Sequence, residues 1–126
     1  MKYQAIESQL FIKNRKNFTA AMQPKSIAIF NSNDVYPISA DSTMPFDQHR
    51  DLFYLSGVNQ EESVLLLFPD CPNEDLREIL FVTETNAHIA VWEGEKLTKE
   101  AAFKTSGIKT IYWLQDLEKI LFLTVL

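Results

Sequence analysis

The sequence predicts a mixed α/β domain, and three observations carry that reading. Apolar residues recur at three-to-four spacing over Glu7–Met22, Ser63–Phe68 (SVLLLF) is apolar without alternation, and helical and extended segments succeed one another as α-β-(loop)-β-β-β-α-β-α. With 126 residues, 46% hydrophobic and 23% charged, the chain has the size and composition of one globular domain. A chain of this length buries about two thirds of its unfolded surface, enough for a core without disulfide staples. Three glycines and five prolines leave no low-complexity tract or inter-domain linker, and the sequence reads as free of internal repeats.

Taken in order, Leu10, Phe11, Phe18, Ala21 and Met22 fall near one stripe of the first helix, with Lys13, Lys16 and Asn17 off it, and Pro24 ends it. Ser26–Phe30 (SIAIF) reads as a buried strand. Asn31–Pro45 is polar and turn-rich, either a long loop or a pair of short edge pieces, and such loops in compact domains are usually functional. Asp51–Ser56 leads to Gly57, where positive φ is open to the chain. Ser63–Phe68 is the strongest candidate for a central strand, Asp70–Asp75 is a surface turn, and Ile79–Thr83 returns as the second strand of a hairpin. His88–Trp92 reads as a further short strand. Thr98 is placed to cap a helix over Lys99–Thr105, with Glu100 in its first turn and Gly107 to stop it. Ile108–Trp113 is a strand, and Asp116–Leu123 begins a last helix. The closing EKILFLTVL has no polar exit and reads as a chain cut short or continued elsewhere.

The net charge of −5 is uneven. Through Lys25 there are five basic residues against one acidic, a balance of +4; the remainder carries seven against sixteen, a balance of −9. Lys13, Arg15 and Lys16 read as the solvated face of the first helix. An acidic remainder repels phosphate, so nucleic acid is rejected as a partner. No window approaches 18 apolar residues, and the N-terminus lacks both a long apolar core and a small-residue cleavage site. With one cysteine, Cys71, these features lead to the expectation of a soluble cytoplasmic protein with no membrane association.

The chemistry-bearing residues are sparse. Asp47 and His49, with Asp41, Asp51 and distant His88, are the candidates for a metal site, but no HExxH or cysteine cluster supports them. Ser56 precedes Gly57 without a G-x-S-x-G elbow, and Cys71 beside Asp70 sits where a reactive thiolate is disfavoured. Glycines at 57, 94 and 107 build neither a dinucleotide fingerprint nor a phosphate loop. Phe46, Phe53 and Tyr54 read as core or sheet-packing residues. Trp92 opens WEGEK, with a charged residue and a glycine directly after it, where a strand is expected to end; it reads either as a contact anchor at an exposed turn or as a partly buried core residue.

The run PFDQHRDLFYLSGVNQEESVLLLFP (Pro45–Pro69), then LFV, WEGEKLTKEAA and SGIKTIYW, resembles the N-terminal domain of Xaa-Pro aminopeptidases (aminopeptidase P), shared in outline by prolidases and creatinases. The resemblance covers nearly the whole chain, 1–126, beginning at FIKNRKNF and SIAIF. It implies a mixed, roughly six-stranded sheet flanked by helices, ahead of a larger catalytic domain. There, in the family, two Asp, one His and two Glu hold a pair of divalent metal ions, usually manganese. The activity implied for the parent is removal of an N-terminal residue that precedes proline.

None of those ligands matches a residue of this chain, so the resemblance implies a domain with no catalytic or metal site of its own. Two departures stand out: Asp47 where the family usually has arginine, and Arg50 where it usually has a small polar residue. The residue carried over is Trp92, which in oligomeric bacterial members approaches a neighbouring subunit's active site. The implied partners are the chain's own C-terminal catalytic domain, further copies in a homo-oligomer, and the parent's peptide substrate. Two other readings stay open: the same domain of a prolidase or creatinase, and a catalytically dead protein-binding module such as the histone-chaperone subunit of this arrangement.

Overall fold

The computed structural model describes residues 7–31, 37–39, 42–43, 50–60, 62–93 and 96–125. Four strands form one mixed sheet in the order β1-β4-β5-β6: β1 (Ala28–Asn31), β4 (Val64–Leu67), β5 (Glu78–Val82) and β6 (Thr110–Trp113). The expected hairpin is present, with β4 and β5 antiparallel and Leu65 opposite Leu80. β1 adds antiparallel to β4, and β6 parallel to β5. Every residue of β4 is buried, as its unbroken apolar run requires of a strand covered on both faces.

Side-chain alternation divides the core in two. Leu65, Leu67, Leu80, Val82 and Ile111 point to one face and pack with Leu52, Leu55, Val58 and Ala102. Val64, Leu66, Ile79 and Phe81 point to the other, where Leu117, Ile120 and Leu121 of α5 (Leu117–Val125) cover them. The first face carries α1 (Ser8–Ala20), α2 (Arg50–Ser56) and α4 (Lys99–Ser106), with α1 against both of the others. Each fully buried Leu or Ile contributes roughly 1.5–3 kcal/mol by leaving water.

Three expectations are corrected. The sheet has four strands among the described residues rather than about six. The two remaining strands, β2 (Pro37–Ser39) and β3 (Ser42–Thr43), pair with each other in a separate ribbon, so Asn31–Pro45 contains short paired pieces. His88–Trp92 is helical and lies within α3 (Ala87–Glu93); Asn86 caps it, its Oδ1 accepting from Ile89 N at 2.9 Å. Asp51–Ser56, left unassigned above, is the body of α2; Leu52 and Leu55 are buried three apart, while Phe53 and Tyr54 are 37% and 54% exposed rather than core.

The largest correction concerns Arg15. It is not on a solvated face: it is 1% exposed, while Lys13 and Lys16 are exposed as expected. Its Nε donates to Glu78 Oε2 at 2.9 Å and its Nη1 to the Leu55 carbonyl at 2.8 Å. Asn14 beside it donates to the Tyr54 carbonyl at 2.8 Å. Two neighbouring side chains of α1 thus satisfy carbonyls in the last turn of α2, which have no partner within their own helix. A guanidinium at that negative helix end is favourable in its own right.

The chain also repeats itself over a short span. Phe53-Tyr54-Leu55-Ser56-Gly57-Val58 and Phe103-Lys104-Thr105-Ser106-Gly107-Ile108 share Phe-x-x-Ser-Gly-[Val/Ile], and they fold alike. Each serine hydroxyl donates to a carbonyl four residues back and accepts from an amide two residues on, Ser56 with Leu52 and Val58, Ser106 with Ala102 and Ile108. Each glycine is left-handed, φ 73° at Gly57 and 76° at Gly107, and its amide donates to the carbonyl of the motif's phenylalanine at 2.7 Å. Both joints are pressed against α1. A methyl group on Gly57 would collide with the buried Phe11 ring, and one on Gly107 would stand 2.6 Å from Ile12 Cδ1.

These contacts order two pairs of substitutions. Gly57→Ala combines a left-handed backbone cost of about 1–2 kcal/mol with displacement of Phe11 in the core, about 3 kcal/mol or more together. Gly107→Ala meets Ile12, which is 37% exposed and free to rotate, so it is expected to cost only about 1–2 kcal/mol. Urea unfolding of the two variants checks this, and an equal or inverted order would contradict it. Glu78→Leu strands the buried guanidinium and is expected to cost about 3 kcal/mol. Arg15→Met leaves a carboxylate whose side chain is already 40% exposed, and is expected to cost about 1–2 kcal/mol. Equal losses in thermal melts would show that the interior charge is not the costly partner.

Candidate functional site at the strand carboxyl ends

β1, β5 and β6 run parallel to one another, so their carboxyl ends, at Asn31, Val82 and Trp113, lie together at one end of the sheet, where β4 begins at Val64. Open α/β sheets place ligand sites outside the carboxyl ends of their strands. Both segments singled out in the sequence leave from this end. The chain goes from Asn31 toward the β2–β3 ribbon, and from Val82 through Thr83–Asn86 into α3, whose last turn holds Trp92.

The same end is tied together by polar contacts from the segment that enters β4. Gln60 Oε1 accepts from Leu97 N at 2.8 Å, and the Gln60 carbonyl accepts from Ser63 Oγ at 2.9 Å. Glu62 holds φ 55°, uncommon for a residue with a side chain, and its Oε2 is 3.5 Å from Thr83 Oγ1. At the start of α4, Thr98 Oγ1 accepts from Ala101 N at 3.0 Å, the expected cap. Lys99 Nζ sits 4.7 Å from the Trp113 ring centroid, and that cation–π contact offsets a cation placed at a positive helix end. On α3, His88 is exposed and Val91, three residues on, is 76% exposed. Trp92 follows in sequence, four positions from His88; it is in a helix, not at the end of a strand as expected.

Among the described residues, no group of three or more His, Cys, Asp or Glu is placed to hold a metal ion. Asp41, Phe46, Asp47, His49 and Gly94 lie outside the described residues. Asp51 is in the first turn of α2 and His88 on α3, so these two candidate ligands are on different helices. Ser56 is buried in its helix stop and Cys71 is 3% exposed, so neither is presented as a nucleophile. At the opposite end of the sheet, an open groove between Glu74, Arg77, Glu78 and Lys109 mixes both charges. Two of its carboxylates already face guanidinium groups, Glu78 that of Arg15 and Glu74 that of Arg77. No helix among the described residues is long and apolar enough to cross a membrane.

The helix-flanked mixed sheet, with the ends of β1, β5 and β6 gathered at one side, defines the class of domain. Residues 11–125 match the family model "Aminopeptidase P, N-terminal domain", and the chain belongs to that family. It is 27% identical over 117 residues to the Xaa-Pro aminopeptidase of Escherichia coli, covering 93% of this chain and 26% of that protein. Against intermediate cleaving peptidase 55 of Saccharomyces cerevisiae it is 34% identical over 87 residues, covering 67% and 17%. Among solved structures, a putative aminopeptidase P from Bacillus anthracis superposes with a TM-score of 0.82 at 26% identity, over 93% of this chain and 27% of that one. The chain therefore spans about a quarter of the E. coli relative's length, and less of the yeast one's.

Proposed function

We propose that this chain is the non-catalytic N-terminal domain of a cytoplasmic, manganese-dependent Xaa-Pro aminopeptidase, and that it narrows the entrance to the parent's active site and supports self-association. The family match over 11–125 carries this reading. That β1 and β5, the strands preceding the ribbon and α3 in the chain, end at the same side of the sheet supports it, because a cleft wall needs its contributing segments together. In the parent, a metal pair would supply a polarised carbonyl and an activated water. The described residues of this chain do not fit such ions, since no three ligand-type side chains converge, and the metal is assigned to the catalytic domain.

In this reading Trp92 is the contact residue: an aromatic ring at a cleft mouth fills volume against a peptide without fixing its sequence. The β2–β3 ribbon is assigned to the same cleft. A cytoplasmic location is supported by a lone, buried, unpaired thiol at Cys71.

Two outcomes follow. The isolated chain, supplied with manganese and a Xaa-Pro peptide, is expected to give no turnover; turnover by a clean preparation that a chelator abolishes would overturn the assignment. In the full-length enzyme, Trp92→Ala is expected to alter the preference for peptide length by several-fold in kcat/KM while leaving the fold intact. Unchanged kcat/KM across a dipeptide-to-pentapeptide series would remove Trp92 from the cleft.

A further inference from the structure

We infer that Gln60 is the positioning residue of α3: its side-chain carbonyl closes the base of the excursion that carries this helix between β5 and α4. It thereby fixes where α3 stands at the end of the sheet. That α3 borders the parent's active-site cleft rests on the reading proposed above; the closure at its base does not.

The chain leaves the sheet after Val82, forms α3, and returns at Leu97, whose side chain packs against the core of the first face. Both ends of that excursion meet one short turn. In the β4–β5 ladder Val64 faces Phe81. The same register carried two residues further sets Glu62 opposite Thr83, where Glu62 Oε2 lies 3.5 Å from Thr83 Oγ1. On the return, Leu97 N donates to Gln60 Oε1 at 2.8 Å, a bond between residues 37 positions apart. Residues 84–96 thus project from a base whose two sides rest on Glu62 and Gln60. Surface excursions of roughly 6–16 residues with their ends brought together are Ω-loops, which often carry function.

The turn at the base is a fixed reference. Val58, just before it, is fully buried, and its amide donates to the Ser56 hydroxyl of the α2 stop. Val64, just after it, is already in the ladder. Between them Ser63 Oγ donates to the Gln60 carbonyl at 2.9 Å, across the left-handed Glu62. Gln60 is therefore held by the core on both sides, and its side chain passes that position on to Leu97.

α3 has little else to hold it. None of the side chains at residues 88–91 belongs to either core cluster, and His88 and Val91 are exposed. Its own bonds are local: Asn86 accepts from Ile89 N through its side chain and from Ala90 N through its carbonyl. So short a helix is marginal by itself, and its place is set where its ends are tied.

Gln60→Leu keeps the bulk and removes the acceptor, whereas Gln60→Glu keeps an acceptor oxygen at the same reach. Site-resolved amide exchange is read on the full chain. In Gln60→Leu the Ile89 and Ala90 amides are expected to exchange about fivefold faster than in the unaltered protein, the effect of one lost hydrogen bond. Leu65 and Leu80 in the central hairpin are expected to keep their rates, and Gln60→Glu to restore those of α3. The Leu97 amide loses its partner in any case and does not count.

Unchanged α3 rates in Gln60→Leu would mean that the packing of Leu97 alone fixes the excursion, and would overturn the inference. Equal acceleration at Leu65 and Leu80, or a Gln60→Glu variant no better than Gln60→Leu, would overturn it too. The unaltered protein gives a test that needs no variant: the Leu97 amide is expected to be protected, and exchange at the rate of an unstructured chain refutes the closure. In the full-length enzyme, Gln60→Leu is expected to shift the peptide-length preference in kcat/KM in the same direction as Trp92→Ala, and Gln60→Glu to bring it back. Faster α3 exchange with an unmoved preference would sink the cleft reading and leave the closure standing.

Discussion

One buried guanidinium organises this domain. Arg15 brings a full positive charge into the interior, a placement that is costly unless the charge is paired and hydrogen-bonded. Here two parts of the fold do this: the carboxylate that opens β5 takes Nε, and the last turn of α2 takes Nη1. Removing any of these surroundings would leave a charge or a carbonyl without compensation. The helical layer is thereby locked to the sheet in one register, where apolar packing alone would accept small slides.

That lock works together with the paired Ser-Gly stops. A helix that ends in a left-handed glycine leaves no side chain beyond its last turn, so a third helix can cross close by. α1 uses both openings, with Phe11 at Gly57 and Ile12 at Gly107. The same closeness explains why α1 holds its place while Leu10 and Ile12 remain partly exposed: its binding comes from Phe11 and from the polar reach of Asn14 and Arg15. The sheet is then left open at its other end, where three strands finish together.

Much of this was legible in the sequence. Unalternating SVLLLF identified the central strand, and Thr98 with Gly107 bracketed α4, because these signals depend only on near neighbours along the chain. The match of LFYLSG and WEG to a known family was equally readable. Other features were hidden for identifiable reasons. Arg15 falls on the buried stripe, four residues after Phe11 and three before Phe18, but two flanking lysines made the cluster look solvated; only Glu78, far away in sequence, reveals its role. Ile, Val and Trp favour extended structure and so suggest a strand over α3, while the decisive signal is the Asn86 cap just before it. In α2, the three-residue spacing of Leu52 and Leu55 was obscured by the adjacent aromatic pair. The repeated Ser-Gly stop was visible letter for letter, yet six residues are too few to register as a repeat until their hydrogen bonds coincide.

The ion pair between Arg15 and Glu78 joins residues 63 positions apart. Closing so long a loop is entropically slow, and α1 has neither a side-chain cap nor an acidic first turn to hold it in advance. The β4–β5 hairpin, by contrast, is local and assembles from its own residues. A contact of that separation is expected to form after the hairpin, which unfolding and refolding rates of Arg15→Met would show. Interactions formed late act on the rate of unfolding more than on the rate of folding. On that order of events, the Arg15 pair lengthens the life of the folded domain more than it hastens its formation.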